Sequence, residues 1–158
     1  MTDLVTEVVI VLAALANGLQ AGTYYTWASG VMPGLARTDD RTFVHAMQEM
    51  NVAIVNPVFL SSFLGAPVLA VLALVLAEGD ARPWAIAAAV GAVATLVITI
   101  GGNVPLNNAL DAARPVDEVS DHGAVRAAFE SRWVRLNAVR ALTSTVALGC
   151  LAAATLGS

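Results

Sequence analysis

The sequence predicts an all-α integral membrane protein, a single domain over residues 1–158 built as a four-helix bundle of up-down-up-down order. A helical cytoplasmic extension is expected to lead into the fourth span. Three observations predict this. Hydrophobic residues make up 58% of the 158 residues and charged residues only 13%, where a soluble domain carries about a quarter charged. Four stretches are each apolar over the roughly 20 residues needed to cross a bilayer. The alternating polarity of barrel strands is absent. Helices follow, because an unpaired backbone group in hydrocarbon costs several kcal/mol.

Taken in order, the first span runs from about residue 4 to 28, and its second half holds Asn17, Gln20, Tyr24, Tyr25 and Trp27. The N-terminal residues 1–7 carry Asp3 and Glu7 and no Lys or Arg, so the stretch reads as a retained span and not as a secretory signal. The second span, about 48–77, is interrupted by Pro57 and Pro67. The third, about 84–102, is almost wholly Ala, Val, Ile, Leu, Gly and Thr. The fourth covers about 136–156. Ala and Gly dominate the last two, which suits close helix packing in lipid. The connections 30–44 and 103–135 together hold six Arg (37, 41, 114, 126, 132 and 135), against Arg82 alone in the second connection. The positive-inside rule then places these two connections in the cytoplasm and both termini outside, in a multi-pass protein of the cell membrane. Within the long connection, 124–137 reads as a helix running into the fourth span, with Asp121 or Ser120 as its N-cap. The net charge of −4, with no basic run, argues against a nucleic-acid partner. Cys150 has no second cysteine to pair with and reads as a small buried hydrophobe.

Helical periodicity gathers the polar residues. At 100° per residue, His45, Gln48, Glu49, Asn51 and Asn56 share one arc at the start of the second span, opposite Ala46, Met47, Met50, Ala53 and Ile54. That arrangement predicts a polar arc facing the bundle and an apolar one facing lipid. On the fourth span Trp133, Asn137, Arg140 and Ser144 fall on one face, and Arg140 lies inside the apolar stretch. An intramembrane Arg is tolerated where it faces the bundle and finds acceptors. Asn17, Gln20, Tyr24 and Trp27 share an arc of the first span, and the third ends in the stretch 101–108, which contains Asn103, Asn107 and Asn108. In an up-down-up-down bundle all of these meet at the cytoplasmic end, so a polar pocket is expected there.

The chemistry available in such a pocket is limited. His45 reads as a general base, as one half of a metal pair with Glu49, or as a cap at the interface beside Arg41. The Asn residues are neutral donor-acceptors, which suits either a binding pocket or helix-to-helix bonding. Arg140 suits an anion, a developing oxyanion, or a structural clamp on carbonyls. Tyr24 and Trp133 read as aromatic walls or interface anchors. Neither a catalytic triad nor a phosphate-binding loop is legible.

Several motifs together resemble a known family. They are Gly22 and Tyr24 followed by Pro33, Met47-Gln48 with Asn51 and Asn56-Pro57, the run Asn103-Val104-Pro105-Leu106-Asn107-Asn108, and Trp133 with Asn137 and Arg140. In this order, over essentially the whole chain, they resemble the small four-span anthrone oxygenase-like membrane family. The resemblance implies dioxygen as oxidant, no obligatory organic cofactor, and a small aromatic substrate. By that analogy an anthrone would lie between Tyr24, Phe59 and Trp133, with Gln48, Asn56, Asn103 and Asn108 lining the pocket. His45 would remove the ring proton, and Arg140 with Asn51, Asn107 and Asn137 would hold the oxyanion. Two other classes of function compete with it: a small-molecule binding or transport module, and a structural membrane subunit, with homo-oligomers possible in each case. Against transport, the middle of the spans holds no Asp or Glu for coupling.

Overall fold

The computed structural model describes residues 2–156. Helix α1 (Thr2–Thr26) continues through a wide turn (Trp27–Val31) into the short α2 (Met32–Leu35). Next come α3 (Asp40–Ala53) and α4 (Pro57–Leu76). Helix α5 (Ala81–Ile98) passes through a second wide turn (Thr99–Asn103) into α6 (Val104–Asp111). A single 3₁₀ turn (Val116–Glu118) precedes α7 (His122–Ala154). No strand occurs among the described residues. Four helical segments, Leu4–Leu35, Pro57–Leu76, Ala81–Asp111 and His122–Ala154, are long and apolar enough to cross a membrane. Helix α1 packs on α4 and α7, and α5 packs on the same two, which closes a four-membered ring.

The interior of this ring is built from small side chains. Ala13, Ala73, Ala77, Ala85, Ala88 and Ala154 are buried with Ile10 and Leu151, while Leu15, Val68, Val75 and Val90 point outward. Water-soluble cores reverse this preference. In lipid there is no gain from hiding large apolar groups, so close backbone approach decides which residues go inside. The tightest approach is at Gly91. A Cβ there would stand 2.9 Å from the Thr143 carbonyl and 3.2 Å from the Ala147 Cβ. One turn away, the Thr95 and Thr143 hydroxyls bond at 2.7 Å across the same seam. Gly91→Ala is therefore expected to lower the thermal midpoint in detergent, because overpacking costs about 1–3 kcal/mol. The same change at the open Gly149 should leave the midpoint unchanged, since nothing lies near its missing Cβ.

Both wide turns have the same cause. The Met32 N–H reaches back to the Trp27 carbonyl and the Val104 N–H to the Thr99 carbonyl, five residues away in each case. Each is followed by a proline, Pro33 or Pro105. A proline ring clashes with the carbonyl four residues earlier and offers no N–H, so the chain widens by one residue. The helix continues, and the expected ends of the first and third spans, at 28 and 102, move out to Leu35 and Asp111.

Span two requires the largest correction. It starts at Pro57, not near residue 48. Asn56 is extended (φ −129°, ψ 161°), and its Oδ1 accepts the Phe59 N–H at 3.0 Å. Pro57 sits in the first turn, where a missing N–H costs nothing. Asn56-Pro57 is thus a helix start, and α3 is a separate helix. Pro67 lies inside α4 without ending it. At α7 the Asp121 carboxylate accepts the Ala124 N–H at 2.9 Å and is the N-cap, one of the two residues expected there.

Candidate functional site

Helix α3 packs against α6, the 3₁₀ turn and α7, with Asp39 as its N-cap through the Thr42 N–H at 3.0 Å. Its buried face is Phe43, Val44, Met47, Gln48 and Asn51. These pack with Met32, Leu110, Val116, Phe129 and Trp133 in one apolar cluster. The helical-wheel expectation is therefore turned by most of a right angle. His45 and Glu49 are exposed, Asn56 is half-buried, and Met47, expected to face lipid, is fully buried. The wheel assumed lipid outside, whereas a helix at the water interface gains by turning its apolar stripe inward. On that inward face Gln48 donates to the Leu110 carbonyl at 2.9 Å. The Gln48 Oε1 and the Asn51 Nδ2 are buried with no protein partner.

Two turns beyond Trp133 on α7 lies Arg140, 7% exposed. Its guanidinium stands over the Tyr24 ring at 4.4 Å and near the Trp133 ring at 5.3 Å. One Nη donates to the Asn137 Oδ1 at 2.9 Å, and the Nε is buried without a partner. Asn137 in turn donates to the Tyr24 carbonyl at 3.0 Å, tying α7 to α1 just before the first wide turn. The Tyr24 hydroxyl donates to Gln20 Oε1 at 2.8 Å, and Gln20 donates to Ser62 on α4 at 2.9 Å. From α6, Asn107 accepts the Trp133 indole N–H at 2.9 Å. The Asn103 amide reaches the Trp133 carbonyl at 3.5 Å, and its Oδ1 is left without a partner. Among the described residues no carboxylate pairs with Arg140. The result is a buried cation between two aromatic faces, with an unused donor and with all of its protein partners neutral.

The carboxylates are engaged elsewhere. Arg41 pairs with Asp117, Arg114 with Glu49 at 2.8 Å and Asp111 at 3.1 Å, and Arg126 with Glu130 at 2.7 Å and Asp40 at 2.9 Å. The Arg41 guanidinium holds the Asp117 carboxyl below the usual carboxylate range, with His45 and His122 adding to the effect. Arg126 also donates to the Thr38 and Ala36 carbonyls at 3.0 and 3.1 Å and lies 4.5 Å over the Phe43 ring. It therefore joins the start of α3 to α7. Arg126→Met, which keeps the stem but none of these bonds, is expected to raise amide hydrogen exchange across residues 36–47 at least tenfold. Exchange within α5 should stay the same.

The residues singled out from sequence divide into two groups. Tyr24, Asn103, Asn107, Trp133, Asn137 and Arg140 are joined by direct contacts, with Gln48 and Asn51 on the inner face of the covering helix. The rest lie apart. Asn56 is engaged in capping α4, Phe59 stacks on Phe63 at 5.6 Å, and Asn108 is exposed. His45 and Glu49 are on the outer face of α3, and Glu49 is taken by Arg114. Phe129, stacked on Trp133 at 6.1 Å, belongs to the site but was not foreseen. It lies four residues before Trp133, a spacing that puts two helix side chains on one face. Trp27, 5.2 Å from Trp133, completes the aromatic row.

Residues 50–150, nearly two thirds of the chain, match the family model described as anthrone oxygenase. No curated protein and no solved structure matches the chain.

Proposed function

The chain belongs to the anthrone oxygenase family, and from that membership we propose that it oxidises an anthrone, or a similarly acidic aromatic, with dioxygen in the membrane. The observation that carries this reading is Arg140, a buried guanidinium with a free donor and no carboxylate partner. A cation kept at that cost in a membrane-embedded site calls for an anion, and an anthrone supplies one on losing its methylene proton. The charge then resides largely on the carbonyl oxygen, opposite Arg140, with the Asn103 and Asn137 amides beside it. The flat rings would stack against Tyr24 and Trp133.

The reaction balances without a further reductant. The methylene carbon loses a proton, and the resulting carbanion gives its electrons to dioxygen and forms a carbon–oxygen bond. The peroxide takes up a proton. Loss of the remaining hydrogen on that carbon as a proton, with cleavage of the O–O bond, yields the quinone carbonyl and water. The role of Arg140 is to hold the oxyanion, which makes the first proton easier to remove. Water takes that proton in this reading, since His45 stands on the outer face of α3. The polar end faces the cytoplasm, as the Arg-rich connections favour.

Membranes containing the protein should accelerate both anthrone loss and oxygen uptake, in equal molar amounts, above membranes without it. No acceleration with several anthrones would sink the oxygenase reading; saturable anthrone binding without turnover would leave a binding module. His45→Ala is expected to keep at least half of the rate. A hundredfold loss would restore His45 as the base.

A further inference from the structure

Two adjoining cavities lie apart from Arg140, where α6, the connection after it and the start of α7 meet. The inner one, about 180 Å³, is apolar and walled by Leu106, Ala109, Leu110, Val125, Ala128 and Phe129. The outer one, about 470 Å³, is open and of mixed polarity, with Arg114, Glu118, Ser120 and Asp121 among its lining residues. Ala113 and Val125 line both, so the two are adjacent. We propose that they form a docking site for a hydroxylated aromatic molecule, one ring in the inner cavity and its hydroxyl in the outer. The substrate would wait there before passing to the Trp133–Arg140 site.

Size sets the apolar half. An apolar cavity of roughly 150 Å³ takes up a benzene ring, so the inner cavity admits one ring of a fused system and leaves the other rings to the larger outer cavity. Phe129 gives that ring an aromatic wall. The electrostatics of the outer half favour a neutral hydroxyl over an ion. Arg114 is already held by Glu49 and Asp111, and the Asp121 carboxylate caps α7. What remains is Glu118, the second Asp121 oxygen and Ser120, an acceptor-rich set that takes a hydroxyl proton and repels an anion. Continuity with the buried site sets the destination. Phe129 stacks on Trp133 at an interplanar angle of 29°, and Trp133 lies between Phe129 and the Arg140 guanidinium. The bond from Trp133 to Asn107 joins α7 to α6 beside this path. The proposal rests on the oxygenase reading only for the ligand's destination; binding itself can be measured without turnover.

The test uses the full chain in detergent and two probes, 2-naphthol and naphthalene, followed by quenching of tryptophan emission. Saturable binding is expected, with 2-naphthol at least fivefold tighter than naphthalene. Ala109 and Ala128 are exposed wall residues, so Ala109→Leu and Ala128→Leu should fold while filling the inner cavity. Each should weaken 2-naphthol at least tenfold, and Arg140→Met should leave that affinity within twofold. With an anthrone that turns over, Ala128→Leu should raise KM and leave kcat within twofold. Three results would overturn the docking site. They are non-saturable quenching that follows partition into the micelle, 2-naphthol affinity unchanged in both leucine variants, or affinity lost in Arg140→Met alone. Absence of oxygen uptake would remove the oxygenase reading while leaving the binding result intact.

Discussion

Arg140→Met is expected to reduce anthrone oxidation by about 10²–10³-fold, the usual cost of removing an oxyanion donor, while the thermal midpoint holds or rises. The two halves of that expectation have one origin. Arg140 is buried among neutral partners, and its guanidinium is held by two ring faces and one amide oxygen. Burying a cation without a carboxylate is unfavourable, and apolar replacement of buried charge is often neutral or stabilising. Methionine matches the stem of the arginine and packs against aromatic rings. A residue kept for structure should lose stability when removed, whereas one kept for an absent anion should lose only activity. Arg140→Lys separates charge from shape. It retains the cation but neither the planar fork nor the stacking between Tyr24 and Trp133, so an intermediate rate is expected. A fall of several degrees in the thermal midpoint of Arg140→Met, with the rate preserved, would make Arg140 a clamp and nothing more.

Much of this arrangement is legible in the sequence, and the part that is not has a physical explanation. The four spans follow from hydropathy, because lipid imposes length and apolarity on every crossing segment. Trp133, Asn137, Arg140 and Ser144 were placed on one face by periodicity, and all four are buried in the structure. That inference holds because α7 is one uninterrupted helix through the site. It fails where the chain changes solvent. The run Val52-Ala53-Ile54-Val55 adjoins the apolar α4 and reads as part of a span, but it closes α3 and leads to the Asn56 cap instead of crossing. Hydropathy does not distinguish an apolar stripe that covers the end of a bundle from one that faces lipid. Periodicity then turned the helix the wrong way and brought His45 inward. A better signal was present in Asn56-Pro57, an N-cap followed by proline in the first turn. The wide turns before Pro33 and Pro105 were also beyond a wheel drawn at a constant 100°, since each adds a residue to one turn.

Asn137→Asp tests the same electrostatic argument without removing the cation. The Asn137 amide oxygen already accepts from Arg140 at 2.9 Å, so aspartate places a carboxylate on the guanidinium with little change of shape. Two unit charges 4 Å apart attract by about 4 kcal/mol at an effective dielectric of 20. An oxyanion formed by the substrate would then meet a neutralised pair. The rate is expected to fall about 100-fold, as when an oxyanion donor is lost. On the other side of the residue, the amide donates to the Tyr24 carbonyl at 3.0 Å. A carboxylate there has no proton to give, so two oxygens face each other and the α1–α7 tie weakens. The new ion pair offsets part of that cost, and only a small change in thermal midpoint is expected. Protonation of the aspartate would restore both the donor to Tyr24 and the net charge of the site. The ratio of variant to parent rate, measured at each pH, should therefore rise as the pH falls. A flat ratio together with a preserved rate would mean that Arg140 does not act on the substrate through its charge. Asn137→Leu supplies the remaining control. It removes the tie to Tyr24 without adding charge, so it should reduce the rate less than Asn137→Asp while costing more stability.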